Sequence, residues 1–482
     1  MKSGGSTYTE DSCRKQPTRR HVRCRSKGLS RGKPKMLIIL RLLCLPLAHG
    51  VDERALLIKL YETAGGGSWK RSAGWGVDSD VCDWFGIECE PKDGQQVVTK
   101  ISLPRNNLSG IIPPVIWHLP HLKIVDLQKN LLTSASLEGL KPISHLVSAG
   151  THLIEDEENK EMPSERSPIE IIDLSKNHLK DLNGVAFAKN SLRDLNVNRN
   201  QVDNAIPLEL FDCTNLEALQ VSYNQISSPL PTQIGRLSHL YTFHANSNRI
   251  SGPLPSELGM LNKIEVFGMG DNRITGTLPA EINRMQNIRQ LSLHRNPHLT
   301  GELLTFGSMP FLEVLTLEGN SMSGTIPSDF LRHNTNTAKP ITVDLANNNI
   351  AGTLPKSLER FEVLNIDVLG NSISEIPPEL CLRGGWMDGS VEQFGCDAIL
   401  CGRGTFNRGG RAESPEACKP CADESPFLGV TQCDSVAMED WEVMWTLYDK
   451  LGGDKWTKRY GWETFEEGAS NVSTAVICNG FF

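Results

Sequence analysis

An asparagine that recurs about every 24 residues constrains the fold of this 482-residue chain more than any other feature. In nearly every case the asparagine stands two residues before an aliphatic side chain. Six of the ten intervals between successive members are 24 residues, and the others are 23, 23, 28 and 47. A period kept over so long a stretch indicates stacked repeats instead of separate globular domains. The asparagines are Asn106, Asn130, Asn177, Asn200, Asn224, Asn248, Asn272, Asn296, Asn320, Asn348 and Asn371.

The residues around each asparagine predict one short strand followed by a tight turn. In the unit LEALQVSYNQI, aliphatic residues such as Leu219 and Val221 alternate in the manner of a strand with one buried side. Asn224 then faces inward, where its amide can satisfy backbone groups of the turn. A buried polar group without a partner costs about 1–3 kcal/mol, so stacked coils favour a ladder of asparagines.

In eight of the units the returning half carries an Ile-Pro or Leu-Pro step, where proline fixes φ as the chain leaves the strand. The 47-residue interval fits two units, the middle one degenerate around Leu146 to Ile154 and followed by an acidic loop at 155–165. This spacing predicts about twelve coils over residues 101–380. The prolines of the step are Pro113, Pro207, Pro231, Pro255, Pro279, Pro327, Pro355 and Pro377.

Units such as NRISGPLPSELGMLNKI and NRITGTLPAEINRMQNI resemble the plant-type leucine-rich repeat. Residues 51–100, with the pair Cys82 and Cys89 around an internal Trp-x-Gly, resemble the N-terminal cap of that family. The resemblance implies an α/β solenoid with a parallel sheet on the concave face and 3-10 or irregular structure on the convex side. It also implies a helical cap closed by a disulfide.

Residues 381–435 hold six cysteines: Cys381, Cys396, Cys401, Cys418, Cys421 and Cys433. Their spacing imitates a zinc ribbon, but it also resembles the small disulfide units of growth-factor-receptor ectodomains. We favour disulfides in sequential order, because other features indicate an oxidising compartment. Residues 436–482 repeat the start of the N-terminal cap, and we expect this second cap to be truncated.

Residues 1–50 read as a basic leader with a signal peptide near 36–50, and Asn107 and Asn471 stand in glycosylation sequons. These features predict a secreted or extracellular protein, although an arginine-rich transit peptide is an alternative. No apolar run reaches the length of a transmembrane helix. Beyond the leader, 37 basic residues face 55 acidic ones, a balance that argues against nucleic acid as a partner.

No catalytic motif, cofactor loop or metal motif is found in the sequence, so we predict no enzymatic activity, cofactor or metal. The interpretation is a non-enzymatic recognition protein that binds a protein, peptide or polysaccharide on the concave face. The alternatives are an inhibitor of a cell-wall polysaccharide hydrolase and the ectodomain fragment of a receptor-like protein; the oligomeric state stays open. A basic column before the asparagines, with aromatic and histidine residues further along, supplies the candidate ligand-binding residues: Arg105, Lys129, Lys176, Arg199, Tyr223, His244, His294 and Arg295.

Overall fold

The computed structural model describes residues 52–135, 168–182, 191–413, 416–421 and 425–432. The predicted leader, the second cap-like segment, Cys433 and Asn471 lie outside these residues. Within them the chain consists of short strands joined by turns and 3-10 helices, with two short α-helices at Glu53–Thr63 and Ser390–Phe394. No helix in the described ranges is long and apolar enough to cross a bilayer.

The main sheet has twelve strands, and its order along the sheet follows the order in the sequence. The first two strands form an antiparallel hairpin, and every later neighbour is parallel. Residues one repeat apart align, as Leu195, Leu219 and Phe243 do, and all three are buried. The strands are Ile87–Lys92, Gln95–Ser102, Ile124–Asp126, Ile171–Asp173, Asp194–Asn196, Ala218–Gln220, Thr242–His244, Val266–Gly268, Gln290–Ser292, Val314–Thr316, Ile341–Asp344 and Leu364–Asp367.

The structure corrects the number of coils. Ile124–Asp126 pairs directly with Ile171–Asp173, although 47 residues separate them. The amide of Asn177 donates to Leu127 O at 3.0 Å, so the ladder also passes straight from one coil to the other. The main sheet of the described residues therefore has eleven repeat strands, not twelve. The intervening sequence has Ile154 where the ladder needs asparagine, and without that amide a further turn would leave buried backbone groups unsatisfied.

A second parallel sheet runs beside the main one, at the place where each coil leaves the asparagine ladder. This sheet was not predicted from the sequence. Five of its six strands contain a glycine in the left-handed region, for example Gly276 and Gly324 with φ of 78° and 80°. The strands of this sheet are Ser251–Gly252, Arg273–Thr277, His298–Glu302, Ser321–Thr325, Asn349–Thr353 and Ser372–Glu375. Two smaller pairs are Ser109–Ile112 with Leu131–Ala135 and Thr405–Phe406 with Lys419–Pro420.

Short 3-10 helices occupy the side of the coils opposite the main sheet. Proline precedes the helix in six coils, and an aliphatic residue such as Leu258 then fills the interior. The described 3-10 helices are Gly66–Ser68, Val81–Asp83, Pro114–His118, Leu208–Asp212, Thr232–Arg236, Ser256–Met260, Ala280–Arg284, Lys356–Arg360, Leu380–Leu382, Met387–Gly389 and Gly395–Ala398.

The ladder asparagines point inward and join neighbouring coils. Asn224 donates from Nδ2 to Val221 O in its own coil and to Val197 O in the preceding coil, both at 3.0 Å. Its Oδ1 accepts the N–H of Val202 at 3.1 Å. The same pattern recurs along the array, and nearly all members are buried; Asn248 and Asn371 are half-buried. One amide thus satisfies backbone groups in two coils, and this fixes the coil phase.

The N-terminal cap takes the place of a preceding coil for the first ladder asparagine. Asn106 exchanges two hydrogen bonds with the backbone of Arg71, at 2.7 and 2.8 Å. Trp69, Trp75 and Trp84 pack together beneath the helix Glu53–Thr63. A disulfide joins the predicted pair Cys82 and Cys89.

The other end of the array is closed by the cysteine-rich segment. Trp386 is fully buried and donates from Nε1 to Phe361 O in the last coils at 2.8 Å. Disulfides join Cys381 to Cys396 and Cys401 to Cys418, in sequential order, and Cys421 is also disulfide-bonded. These pairings leave the zinc-ribbon alternative without its thiolates.

Candidate ligand-binding face

The outward residues of the repeat strands form the concave face. In each repeat strand the residue that aligns with Leu219 is buried, and the residues on either side of it point outward. The first outward column is Lys100, Ile124, Ile171, Asp194, Ala218, Thr242, Val266, Gln290, Val314, Thr342 and Asn365. The second is Ser102, Asp126, Asp173, Asn196, Gln220, His244, Gly268, Ser292, Thr316, Asp344 and Asp367. Because the core occupies only the middle positions, these columns are available for a ligand.

The N-terminal part of the concave face is acidic. Asp126 and Asp173 each accept the backbone N–H two residues on, at 3.2 and 2.9 Å, so part of their role is to close the turn. Burial, together with the charges of Asp173 and Glu217, raises the pKa of Asp194. Its buried Oδ1 has no hydrogen-bond partner among the described residues. The single basic residue of the two columns, Lys100, is paired with Glu88 at 2.8 Å.

A depression of about 310 Å³ lies at the middle of the concave face. Gly268 lies on its floor, and the side chains around Gly268 and Gly270 explain why glycine stands at both positions. A Cβ on Gly270 would lie 2.1 Å from the ring of His294, and one on Gly268 would lie 2.8 Å from the Asn246 amide. Val266 and Val314 form an apolar wall, and Glu318 stands at the C-terminal rim. The depression is therefore amphipathic.

Both predicted histidines line this depression. His294 Nδ1 lies 2.8 Å from Ser292 Oγ, which in turn is 2.7 Å from Thr316 Oγ1. The ring of His244 makes no hydrogen bond with any described residue, and burial lowers its pKa, so it is neutral at pH 7. His244 thus presents an uncommitted imidazole to a ligand.

The C-terminal part of the face holds three carboxylates on successive coils, Glu318, Asp344 and Asp367. Burial, a hydrogen bond with Glu318 and the Glu318 charge raise the pKa of Asp344 to about 7, against the opposing effects of the Ala346 N–H and Arg411. Arg411, from the cysteine-rich segment, forms an ion pair with Asp367. Arg411 thereby neutralises the last carboxylate, and of the other two Glu318 lines the depression.

The predicted basic column lies at the edge of the concave face and not on its strands. Arg105, Lys129, Lys176 and Arg199 each come three residues after a strand and have φ of 54° to 59°. Every residue at this place in the described coils, Tyr223 and Arg295 included, has positive φ. The turn before the ladder asparagine demands the left-handed backbone whatever the side chain. This geometry corrects the expectation that the column belongs to the strand face.

The column members differ in their partners. Arg199 stacks over the Tyr223 ring at 4.2 Å, and Arg295 lies 3.7 Å from Asp271 and 3.6 Å from Glu318. Within the described ranges, Arg105, Lys129 and Lys176 have no ion-pair partner. Their part in ligand binding stays a prediction.

Two other sites bear on function. Asn107 of the first sequon is half-buried, and its Nδ2 donates to Ser68 O at 3.0 Å. A second depression, of about 260 Å³, lies on the 3-10 side between Arg236 and Met260, where the coils simply pack on each other. No cluster of three or more metal-ligating side chains occurs in the part of the chain that the structure describes.

Most of the depression was not predicted from the sequence, including Asn246, Gly268, Gln290 and Glu318. The signal was present in the repeat itself. When the units are aligned on the ladder asparagine, these residues stand two, four or six positions before it. The predicted basic column stands immediately before the asparagine instead.

Comparison with known proteins finds no matching family model. Phytosulfokine receptor 2 of Arabidopsis thaliana is 38% identical over 56 residues, which are 12% of this chain and 5% of that receptor. The leucine-rich repeat ectodomain of the Arabidopsis thaliana receptor kinase GASSHO1/SCHENGEN3, solved with CASPARIAN STRIP INTEGRITY FACTOR 2, is 24% identical with a TM-score of 0.54. That match covers 70% of this chain and 43% of the other.

The Arabidopsis receptor kinase HAESA, solved with the peptide hormone IDA and the co-receptor SERK1, is 22% identical with a TM-score of 0.50. The match covers 69% of this chain and 56% of that one. The chain thus spans less than two thirds of the length of each of these relatives, and the solved structures share its fold. The 24-residue repeat, the parallel sheet that it builds and the likeness to these solved structures together show that the chain has the fold of a leucine-rich repeat solenoid.

Proposed function

We propose that this protein is a non-enzymatic recognition protein that binds an extended peptide or protein segment along its concave face. The observation that carries the proposal is the central depression, because two of its polar side chains are not used by the fold. His244 and Gln290 make no side-chain hydrogen bond with the described residues, and Gln290 is exposed. Preformed concavities with a few uncommitted polar groups are typical of binding sites.

The chemistry of the face favours a polypeptide over a polysaccharide. Asp126, Asp173, Asp194, Glu318 and Asp344 face the ligand side, and such a surface repels an anionic glycan. None of the outward strand positions holds a Trp, Tyr or Phe that would stack on a neutral sugar ring. The alternation of apolar and hydrogen-bonding positions instead suits the side chains of an extended peptide.

The relatives agree with this proposal. GASSHO1/SCHENGEN3 and HAESA are solved in complex with CASPARIAN STRIP INTEGRITY FACTOR 2 and with the peptide hormone IDA. We extend peptide recognition to this chain as part of the proposal. An extracellular location fits it, since the disulfides at both ends of the array are stable in an oxidising compartment.

A glycan placed on either side of the coils tests the proposal. Gln290→Asn creates the sequon Asn-Leu-Ser on the concave face, and Arg236→Asn creates the same sequon on the 3-10 side. Both variants are made in a secretory eukaryotic host, and mass spectrometry verifies the added glycan. Random displayed peptides selected on the wild-type protein are then measured against each variant.

We expect the concave glycan to weaken binding at least a hundredfold and the control glycan to change it less than about threefold. Failure to select any peptide would refute the proposal. Equal binding by both variants would place the ligand elsewhere on the molecule.

A further inference from the structure

We propose that the central depression is a subsite for a lysine or arginine side chain of the ligand, with Glu318 pairing with its positive charge. This inference rests on the proposed function and names the ligand chemistry at its centre. It begins from the shape of the depression, in which an apolar wall leads to one carboxylate.

The apolar wall suits the stem of a long basic side chain. Val266 and Val314 point outward from strands that flank Gln290–Ser292, and both are half-buried. Gly268 keeps the floor low, because it carries no side chain into the space. Lysine and arginine bury their methylene stems against such surfaces while the charged end stays at the polar rim.

The charge at the rim selects a cation. Among the described residues, Glu318 is the only ionisable side chain besides the two histidines that lines the depression, and it is 23% exposed. No described Lys or Arg lines it. Burial keeps His244 neutral, so its ring contributes a hydrogen-bond acceptor and no positive charge. Asp344 on the next strand adds a second carboxyl beside Glu318.

The cation already near Glu318 does not fill this role. Arg295 lies 3.6 Å from Glu318, but it is shared with Asp271 at 3.7 Å, and its side chain is 65% exposed. An exposed pair of this kind contributes little free energy. A ligand cation that enters the depression meets Glu318 in a less solvated position and replaces Arg295 there.

Selection of displayed random peptides tests the inference on the full chain. The bait proteins are the wild type, Glu318→Gln and the matched control Glu302→Gln, whose side chain is exposed in the second sheet. We expect the pools from the wild type and from Glu302→Gln to be enriched in Lys or Arg at one position. The Glu318→Gln pool loses that preference, and individual peptides bind it at least tenfold more weakly.

Gln290→Lys provides a second variant at an exposed position of the same wall. The ammonium group of the new lysine takes the place of the ligand cation beside Glu318. We therefore expect weaker binding of the basic peptides and unchanged binding of their Met-substituted versions. Peptides that lose binding to the Gln290→Asn glycan variant but show no basic preference would overturn this inference and leave the proposed function standing. A wild-type selection that enriches no peptide at all would overturn both.

Discussion

At the residue scale, the side-chain amide of one ladder asparagine satisfies buried backbone groups in two neighbouring coils. Asn348 donates from Nδ2 to Leu317 O at 2.9 Å and Leu345 O at 3.0 Å, and its Oδ1 accepts from Met322 N at 3.0 Å. Alanine provides neither the donor nor the acceptor. Each buried backbone group left without a partner costs about 1–3 kcal/mol.

The adjacent pair Asn348 and Asn349 allows a matched test. Asn348 is 6% exposed, whereas Asn349 is exposed and makes no side-chain hydrogen bond with the described residues. We expect Asn348→Ala to lower the free energy of unfolding by about 2–4 kcal/mol and Asn349→Ala to change it by less than about 0.5 kcal/mol. Chemical denaturation followed by tryptophan fluorescence measures both, and similar losses in the two variants would contradict the role of the ladder.

Asp344 gives a residue-scale prediction on pH. The pKa of its carboxyl is raised to about 7 in the folded protein, so the folded state favours the protonated form relative to the unfolded chain. Its contribution to stability is complete below the ordinary pKa of about 4 and is lost as pH rises through about 7. Asp344→Asn should therefore stabilise the protein at pH 8, by on the order of 1 kcal/mol after allowance for solvent screening.

The stabilisation should be smaller at pH 5, where Asp344 is largely protonated in the folded protein, and should vanish below about pH 4, where the carboxyl is protonated in the unfolded chain as well. Thermal unfolding at the two pH values measures the difference. A stabilisation that is equal at pH 5 and pH 8 would show that the carboxyl does not titrate in this range.

The individual coil is the next scale, and here much was predictable from the sequence. The repeat predicts the strand, the inward asparagine and the proline step, because each depends on local pattern. Asn246 and Glu318 escaped notice because their importance depends on which strands become neighbours and on the glycines between them. The predicted number of coils was one too high for a similar reason. The leucine spacing within 136–167 suggests a repeat unit, although that sequence has Ile154 where the ladder needs asparagine.

The direct pairing of Ile124–Asp126 with Ile171–Asp173 predicts how the intervening sequence tolerates change. Replacing residues 139–164 by a short Gly/Ser linker should alter the free energy of unfolding by less than about 1 kcal/mol, because shorter loops close at little entropic cost. Deleting Ser227 and Ser228 within a regular coil is the control, and it should destabilise the protein severely because it breaks the coil phase. Thermal melting of both variants measures this, and a collapse caused by the linker alone would show that a coil had been removed.

At the scale of the whole molecule, both open ends of the array are closed by different means. The N-terminal end uses a tryptophan cluster and the Cys82–Cys89 disulfide, and the C-terminal end uses Trp386 and the cysteine-rich segment. A solenoid without such caps exposes its last apolar layer. Arg411 adds a link from the cysteine-rich segment to Asp367 on the concave face, so the cap also sets the charge at that end.

Trp386→Ala tests the C-terminal cap. The substitution removes a fully buried ring and its hydrogen bond to Phe361 O, with an expected cost of about 3–5 kcal/mol. Hydrogen exchange should quicken first in Leu364–Asp367 and Ser372–Glu375, the strands nearest the cap. Phe427→Ala, at a residue that is 43% exposed, is the control and should leave exchange in those strands unchanged. Uniform quickening along all coils would argue against a local cap.

The most direct test of concave-face recognition is photo-crosslinking of a selected peptide that carries benzoylphenylalanine, followed by mass spectrometry of the crosslinked fragments. We expect the crosslinks to fall in the strands Ala218–Gln220, Thr242–His244, Val266–Gly268, Gln290–Ser292 and Val314–Thr316. Crosslinks confined to the 3-10 helices, such as Thr232–Arg236 or Ser256–Met260, would contradict recognition by the concave face.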